Sequence, residues 1–217
     1  MNIISPSILA GDFSALGDTV KKLEQNGADW VHIDVMDGHF VNNITIGLPV
    51  VSALRSKTSL KFDVHLMISE PARYVKEFIK AGADIVTFHA ESSSDIGETL
   101  ALIKQEGAVP ALSIKPNTPV QSIFPYLDSL GMVLIMSVEP GFGGQAFIPE
   151  VLTKISCLRA ECNKRGLDTI IQVDGGINRE TLKLCVEAGA NCFAVGSSVF
   201  KAEDMALEIS TLQGITA

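Results

Sequence analysis

Two short segments pair the same metal-ligating residue types at alternate positions: His32-Ile33-Asp34 and Asp63-Val64-His65. A third segment, Gln172-Val173-Asp174, carries another carboxylate in the same rhythm. In an extended strand, residues i and i+2 point to one side. If the apolar Val31, Ile33, Val35, Val64, Leu66, Ile171 and Val173 face outward, the other side presents three sets. These are His32, Asp34 and Met36; Asp63, His65 and Met67; and Gln172 and Asp174. Ionisable groups on a buried face are costly unless paired or bound to metal. Taken singly, each His reads most simply as a hydrogen-bonded core residue. Taken together, His32, Asp34, His65 and Asp174 form a mixed nitrogen and oxygen set. It suits one divalent ion, Zn2+, Fe2+, Mn2+ or Co2+, with positions left open for a substrate.

Three glycine-bearing segments form a second constellation: Gly141-Phe142-Gly143-Gly144, Gly175-Gly176 directly after Asp174, and Gly196-Ser197. Glycine lets backbone N–H groups approach an anion closely. A tight turn explains any one of these segments; three in succession after strand-like runs imply a phosphate cradle. Such a cradle lets a chain of net charge -8 hold an anionic ligand without a basic patch. The same charge, with no run of Lys or Arg, argues against nucleic acid or an anionic membrane as partner.

These residues need a frame that gathers them at one place. Gly27-Ala28-Asp29, Gly82-Ala83-Asp84 and Gly189-Ala190-Asn191 each precede an apolar run, and Leu130-Gly131-Met132 is a looser copy. The unit is about 54 residues long and recurs four times. Each unit holds two strand-like runs, which makes eight: Ile3–Leu9, Trp30–Met36, Leu60–Met67, Ile85–Ala90, Val109–Ile114, Val133–Val138, Thr169–Asp174 and Cys192–Gly196. Helical patterns lie between them at Leu16–Gln25, Ala72–Ala81, Ile96–Gln105, Glu150–Lys164 and Glu180–Ala188, several ending at Gly. Eight alternating β/α units in 217 residues predict a single-domain (β/α)8 barrel over 1–217, with a doubly wound open sheet as the alternative. Active sites of such barrels lie at the C-terminal ends of the strands, with phosphate held after strands 7 and 8. The proposed ligands and glycines fall there. At 47% hydrophobic residues the chain can fill such a core. The longest charge-free stretch, Gly38–Leu54, contains His, Asn and Pro and is no membrane span. The first residues have no basic segment, so no secretory signal is expected. Cys157, Cys162, Cys185 and Cys192 lack CxxC spacing and read as reduced thiols of a cytoplasmic protein.

The chain resembles the ribulose-phosphate 3-epimerase family at Ser5–Leu9, Val31–Val41, Asp63–Met67, Met136–Gln145, Val173–Ile177 and Val195–Ser197, in order along its length. The resemblance implies a metal-dependent barrel interconverting D-ribulose 5-phosphate and D-xylulose 5-phosphate. It implies His32, Asp34, His65 and Asp174 as ligands, Asp34 and Asp174 as the acid/base pair, and Ser7 and His65 as substrate contacts. It also implies Gly141, Phe142, Gly143, Gly144, Gly175, Gly176, Gly196 and Ser197 as phosphate and substrate contacts, and a homo-oligomer. Asn42 stands where the family commonly has Pro, and Lys115-Pro116-Asn117-Thr118 departs from its usual Asn-Pro-Ala-Thr. Both bear on sugar contacts.

Removing a proton from C3, beside the C2 carbonyl, and returning one to the opposite face needs two carboxylates on separate sides. The intermediate is a cis-enediolate, and Met36, Met67 and Met136 are placed to line it and exclude water. Asp37 and His39 read as solvated loop residues or as partners behind the ligands, His89 and Glu91 as groups behind the ligands, and Lys115 as a cation that reaches either phosphate or solvent. The competing readings are epimerisation of a longer ketose such as allulose 6-phosphate and a catalytically silent binding barrel. A metal-dependent decarboxylase would carry a D-x-K-x-x-D pattern, which strand 2 lacks.

Overall fold

A computed structural model describes residues 1–217. Eight parallel strands form one sheet in the order β1-β8-β7-β6-β5-β4-β3-β2. They are β1 (Ile3–Pro6), β2 (Trp30–Met36), β3 (Lys61–Met67), β4 (Ile85–His89), β5 (Val109–Ile114), β6 (Met132–Met136), β7 (Ile170–Asp174) and β8 (Cys192–Val195). A single bridge, Ser7 to His32, brings the first strand to the second and completes the (β/α)8 barrel. The helices are α1 (Leu16–Gln25), α2 (Leu48–Arg55), α3 (Val75–Lys80), α4 (Ile96–Gln105), α5 (Val151–Arg165), α6 (Arg179–Ala188), α7 (Ser197–Phe200) and α8 (Met205–Gly214).

Two apolar layers hold this arrangement. A continuous cluster of 48 buried residues includes Val31, Ile33, Val64, Leu66, Ile171 and Val173, the outward residues of β2, β3 and β7. Inside the barrel, Trp30, Ile85, Ala111, Met132 and Cys192 form an apolar floor. Above that floor the interior turns polar, with His32, Asp63, Thr87, Ser113 and Gln172 all fully buried. The change of layer follows from strand alternation: the inward residue two steps beyond Trp30 is His32, and two steps further is Asp34.

Several elements differ from the sequence expectation. Strand β1 stops at Pro6, and Ile8–Ala10 forms a 3-10 turn capped by the Ser7 side chain. The expected helix Ala72–Ala81 divides into a 3-10 turn, Pro71–Arg73, and α3. Between β5 and β6 the chain takes a 3-10 path, Val120–Ser129, with Pro125 inside it, where no N–H is available for a longer α-helical ladder. Helix α6 starts from a capping box between Asn178 and Thr181, immediately beyond Gly175-Gly176. That cap fixes where the turn after β7 ends.

Candidate active site

Register sets the site. His32 lies opposite Asp63, Asp34 opposite His65, and Met36 opposite Met67 across β2 and β3, while Asp174 lies opposite Met136 across β6 and β7. One donor atom from each of His32, Asp34, His65 and Asp174 lies within 4.8 Å of the others. His32 Nε2 stands 3.2 Å from Asp34 Oδ1 and 3.9 Å from Asp174 Oδ2. His65 Nδ1 stands 3.2 Å and 3.8 Å from the same two oxygens.

Neighbouring groups orient His32 and Asp34. Asp63 Oδ2 accepts from His32 Nδ1 at 2.7 Å, from Gln172 Nε2 at 2.5 Å and from Ser5 Oγ at 3.2 Å. With Nδ1 so engaged, His32 turns Nε2 to the centre, where it is completely buried yet makes no hydrogen bond. Ser7 Oγ donates to Asp34 Oδ2 at 2.5 Å, leaving Oδ1 to face the imidazoles. Two imidazoles and two carboxylates, with one buried nitrogen lacking a partner, fit a divalent ion of the Zn2+, Fe2+, Mn2+ or Co2+ kind.

The electrostatics separate the two carboxylates. Burial alone would raise Asp34, but the charge of His32, with the hydrogen bond and charge of His65, holds it far below the usual carboxylate range. Asp174 is pushed up to about 6 by burial and by the charge of Asp34, against the pull of His32 and His65. Burial opposes a charge on His32, yet Asp34 and Asp63 together keep its proton to well above the ordinary imidazole range. A cation held at that nitrogen would have to displace this proton.

A cleft of about 860 Å³ opens above the cluster. Met36, Met67 and Met136 are buried in its wall, beside Ser7, Asp34 and Asp174. Gly141, Phe142, Gly143 and Gly144 form one lip, with Phe142 58% exposed. Gly175, Gly176, Gly196 and Ser197 form the other. The turn after β7 is pinned from below: Ser137 Oγ donates to the carbonyls of Asp174 at 2.9 Å and Gly175 at 2.6 Å. Glu208 on α8 ties the start of α6 to α7, the elements that follow β7 and β8. It accepts from Ser198 Oγ at 2.8 Å and from Arg179 Nε at 2.8 Å.

Other candidates take different places. Asp37 accepts backbone N–H bonds from His39, Phe40 and Ser69 and serves as a staple of the β2 loop, with its carboxyl held below the ordinary value against the effect of burial. His39 lies beside a separate cavity behind that loop. Lys115 sits 4.1 Å over the Phe40 ring and does not line the cleft, so it is not the phosphate cation that one reading allowed. His89 and Glu91 lie behind His65, whose Nε2 is 2.9 Å from His89 Nε2. The orienting roles of Asp63 and Gln172 were not read from the sequence, although both occupy the inward rhythm that singled out their neighbours. Asn43, which donates to Gly141 O at 2.8 Å and links the β2 and β6 loops, and Glu208 carried no sequence signal.

Fold and site together define a (β/α)8 barrel with a candidate divalent-metal centre at the C-terminal mouth and a glycine-walled cleft above it. Comparison with known proteins places it further. The family described as the ribulose-phosphate 3 epimerase family matches residues 3–200. Ribulose-phosphate 3-epimerase of Bacillus subtilis is 50% identical over 212 residues, covering 97% of this chain and 98% of that protein. The chloroplastic ribulose-5-phosphate-3-epimerase of Arabidopsis thaliana is 50% identical over 217 residues, covering 99% and 76%. Among solved structures, 3-hexulose-6-phosphate synthase from Salmonella typhimurium superposes with a TM-score of 0.70 at 18% identity, covering 99% and 98%, a likeness of fold alone. The chain belongs to the ribulose-phosphate 3-epimerase family.

Proposed function

We propose that this chain, acting over 1–217 as one catalytic domain, inverts C3 of a ketose phosphate, interconverting D-ribulose 5-phosphate and D-xylulose 5-phosphate. The observation that carries the reading is the convergence of Asp34 and Asp174 with His32 and His65 beneath a glycine-walled cleft, in a chain half identical to epimerases over nearly its full length. His32, Asp34, His65 and Asp174 would hold one Zn2+, Fe2+, Mn2+ or Co2+ ion, which when bound stabilises negative charge developing on the substrate oxygens.

The protein groups handle the proton. Asp34, held ionised by its imidazole neighbours and oriented by Ser7, is the group ready to accept the C3 proton. Asp174, with its pKa near 6, is the group ready to give one to the other face. The roles exchange in the reverse direction. A pair of carboxylates whose environments drive their pKa values apart is the arrangement that acid/base assignment looks for. Met36, Met67 and Met136 keep water from the cis-enediolate. Backbone N–H groups of Gly175, Gly176, Gly196 and Ser197 receive the phosphate, and Gly141–Gly144 close over the sugar. His65 and Ser7 contact the substrate beside the metal.

Four free cysteines support residence in a reducing compartment such as the cytoplasm, and no helix is long and apolar enough to cross a membrane. The homo-oligomer that the resemblance implies rests on membership of the family alone. The test is kcat/KM on ribulose 5-phosphate and allulose 6-phosphate in parallel, with metal content assayed. Preference for the pentose supports the proposal; preference for the hexose moves the substrate, and turnover of neither overturns the enzyme reading.

A further inference from the structure

We infer that Glu91, acting through His89, fixes the tautomer of His65 and so makes Nδ1 of that ring the atom offered to the metal. The inference rests on the metal-site reading above and assigns Glu91 and His89 as positioning residues, neither touching substrate.

The chain of contacts runs one way. Glu91, two residues beyond the end of β4, is held by the loop after β5: its Oε1 accepts from Lys115 N at 2.8 Å and from Thr118 Oγ. That loop is itself gathered by Lys154 on α5, whose ammonium donates to the carbonyls of Lys115, Pro116 and Thr118. The other oxygen, Oε2, stands 3.3 Å from His89 Nδ1. An ionised carboxylate only accepts, so His89 Nδ1 carries the hydrogen. In the neutral ring His89 Nε2 then holds a lone pair, and it faces His65 Nε2 at 2.9 Å. Two nitrogens at that distance need one donor and one acceptor, so His65 Nε2 carries its hydrogen. The far nitrogen of His65, Nδ1, stands 3.2 Å from Asp34 Oδ1, which takes a hydrogen from it when no ion is bound; with Nε2 donating to His89, Nδ1 is the nitrogen whose lone pair an ion can take.

The surroundings protect this order. His65 and His89 are both fully buried, with ring centroids 5.0 Å apart. Phe40 packs on His89 at 4.8 Å, and the Lys115 ammonium covers Phe40. Water is thus kept from reversing the relay. His32 is oriented differently, through the single step to Asp63, and offers Nε2. The two imidazoles of one site therefore present opposite ring nitrogens, each selected by its own carboxylate.

Glu91→Gln tests this with almost no change of shape. Its amide must place NH2 against either His89 Nδ1–H or Lys115 N–H, so a donor meets a donor unless both rings exchange tautomers. Zn2+ affinity of metal-stripped protein, measured by chelator competition, should fall roughly 10- to 100-fold in Glu91→Gln. Thr118→Val, which removes a bond to Glu91 but leaves its carboxylate, should stay within about twofold. Long-range 1H–15N spectra of Zn2+-loaded wild type should find His65 protonated at Nε2 and His89 protonated at Nδ1, and Glu91→Gln should lose the hydrogen at His89 Nδ1. Unchanged affinity in Glu91→Gln, an equal loss in Thr118→Val, or a Zn2+-loaded wild type with His89 bare at Nδ1 would each overturn the relay. Wild type that binds no Zn2+ would instead overturn the metal-site reading on which the relay rests.

Discussion

Replacing Gly176 with Ala should damage the phosphate side of the cleft by an amount that the backbone itself sets. Gly176 has φ +63°, and a Cβ there would lie 2.6 Å from Phe147 N and 2.9 Å from Phe147 Cα. The left-handed conformation costs an L-residue about 1–2 kcal/mol. Restricting the unfolded chain returns about 0.4–1 kcal/mol of that. The contact is with backbone, so no rotamer relieves it, and Phe147 must retreat at a cost of about 1–3 kcal/mol, the usual range for overpacking. The sum is a loss of about 1–5 kcal/mol, centred near 3, read by urea unfolding of the metal-loaded protein. Gly144 and Gly143 calibrate the estimate. Gly144 has φ +75° with nothing near its Cβ, so Gly144→Ala should cost about 1 kcal/mol. Gly143 has no such φ and no neighbour within 4 Å, so Gly143→Ala should stay within about 0.5 kcal/mol of wild type. Because Phe147 lines the cleft, Gly176→Ala should also raise KM about tenfold, worth about 1.4 kcal/mol. Gly176→Ala as stable as Gly143→Ala, with unchanged KM, would refute the claim that this turn is shaped for close approach.

Chelation should abolish activity while leaving far-UV circular dichroism unchanged, because the 48-residue core lies between strands and helices, away from the mouth; loss of the helical signal would show that the ion holds the fold. Ser197→Asp places a carboxylate on the phosphate-side lip, and at roughly 5 Å in an effective dielectric of about 20 the repulsion is about 3 kcal/mol. KM should rise at least tenfold, and an unchanged KM would move the phosphate elsewhere. His89, pushed down to about 4 chiefly by burial, contributes stability that is complete above pH 6.5 and lost as pH falls through 4, because only the unfolded chain takes the proton in that window. Unfolding of metal-free protein between pH 7 and 4 should lose about 3 kcal/mol from this residue, and His89→Leu should lack that part of the slope.

Where physics is periodic, the sequence was readable. Helix α1 was read to the residue, because Leu16, Val20 and Leu23 repeat at helical spacing and Gly27 ends the run. The inward rhythm of β2, β3 and β7 was equally plain, since each strand buries apolar residues against helices and polar ones inside. Helix α2 was missed because Gly47, Pro49 and the absence of charge look like loop, yet Pro is tolerated in the first helical turn and Val51 and Leu54 are buried. The path Val120–Ser129 was missed because a 3-10 segment has neither period. The partners within the polar middle layer could not be read: Gln172 meets Asp63 across 109 residues, and only barrel closure brings them together.

The central claim is that Asp34 and Asp174 serve opposite faces of one carbon. Its most direct test is hydrogen exchange at C3 in deuterated water, catalysed by Asp174→Asn with metal content measured in the same sample. A metal-retaining variant should still exchange the C3 hydrogen of one epimer, through Asp34, while conversion to the other epimer nearly stops. Equal exchange of both epimers, or conversion at the wild-type rate, would contradict the two-carboxylate account.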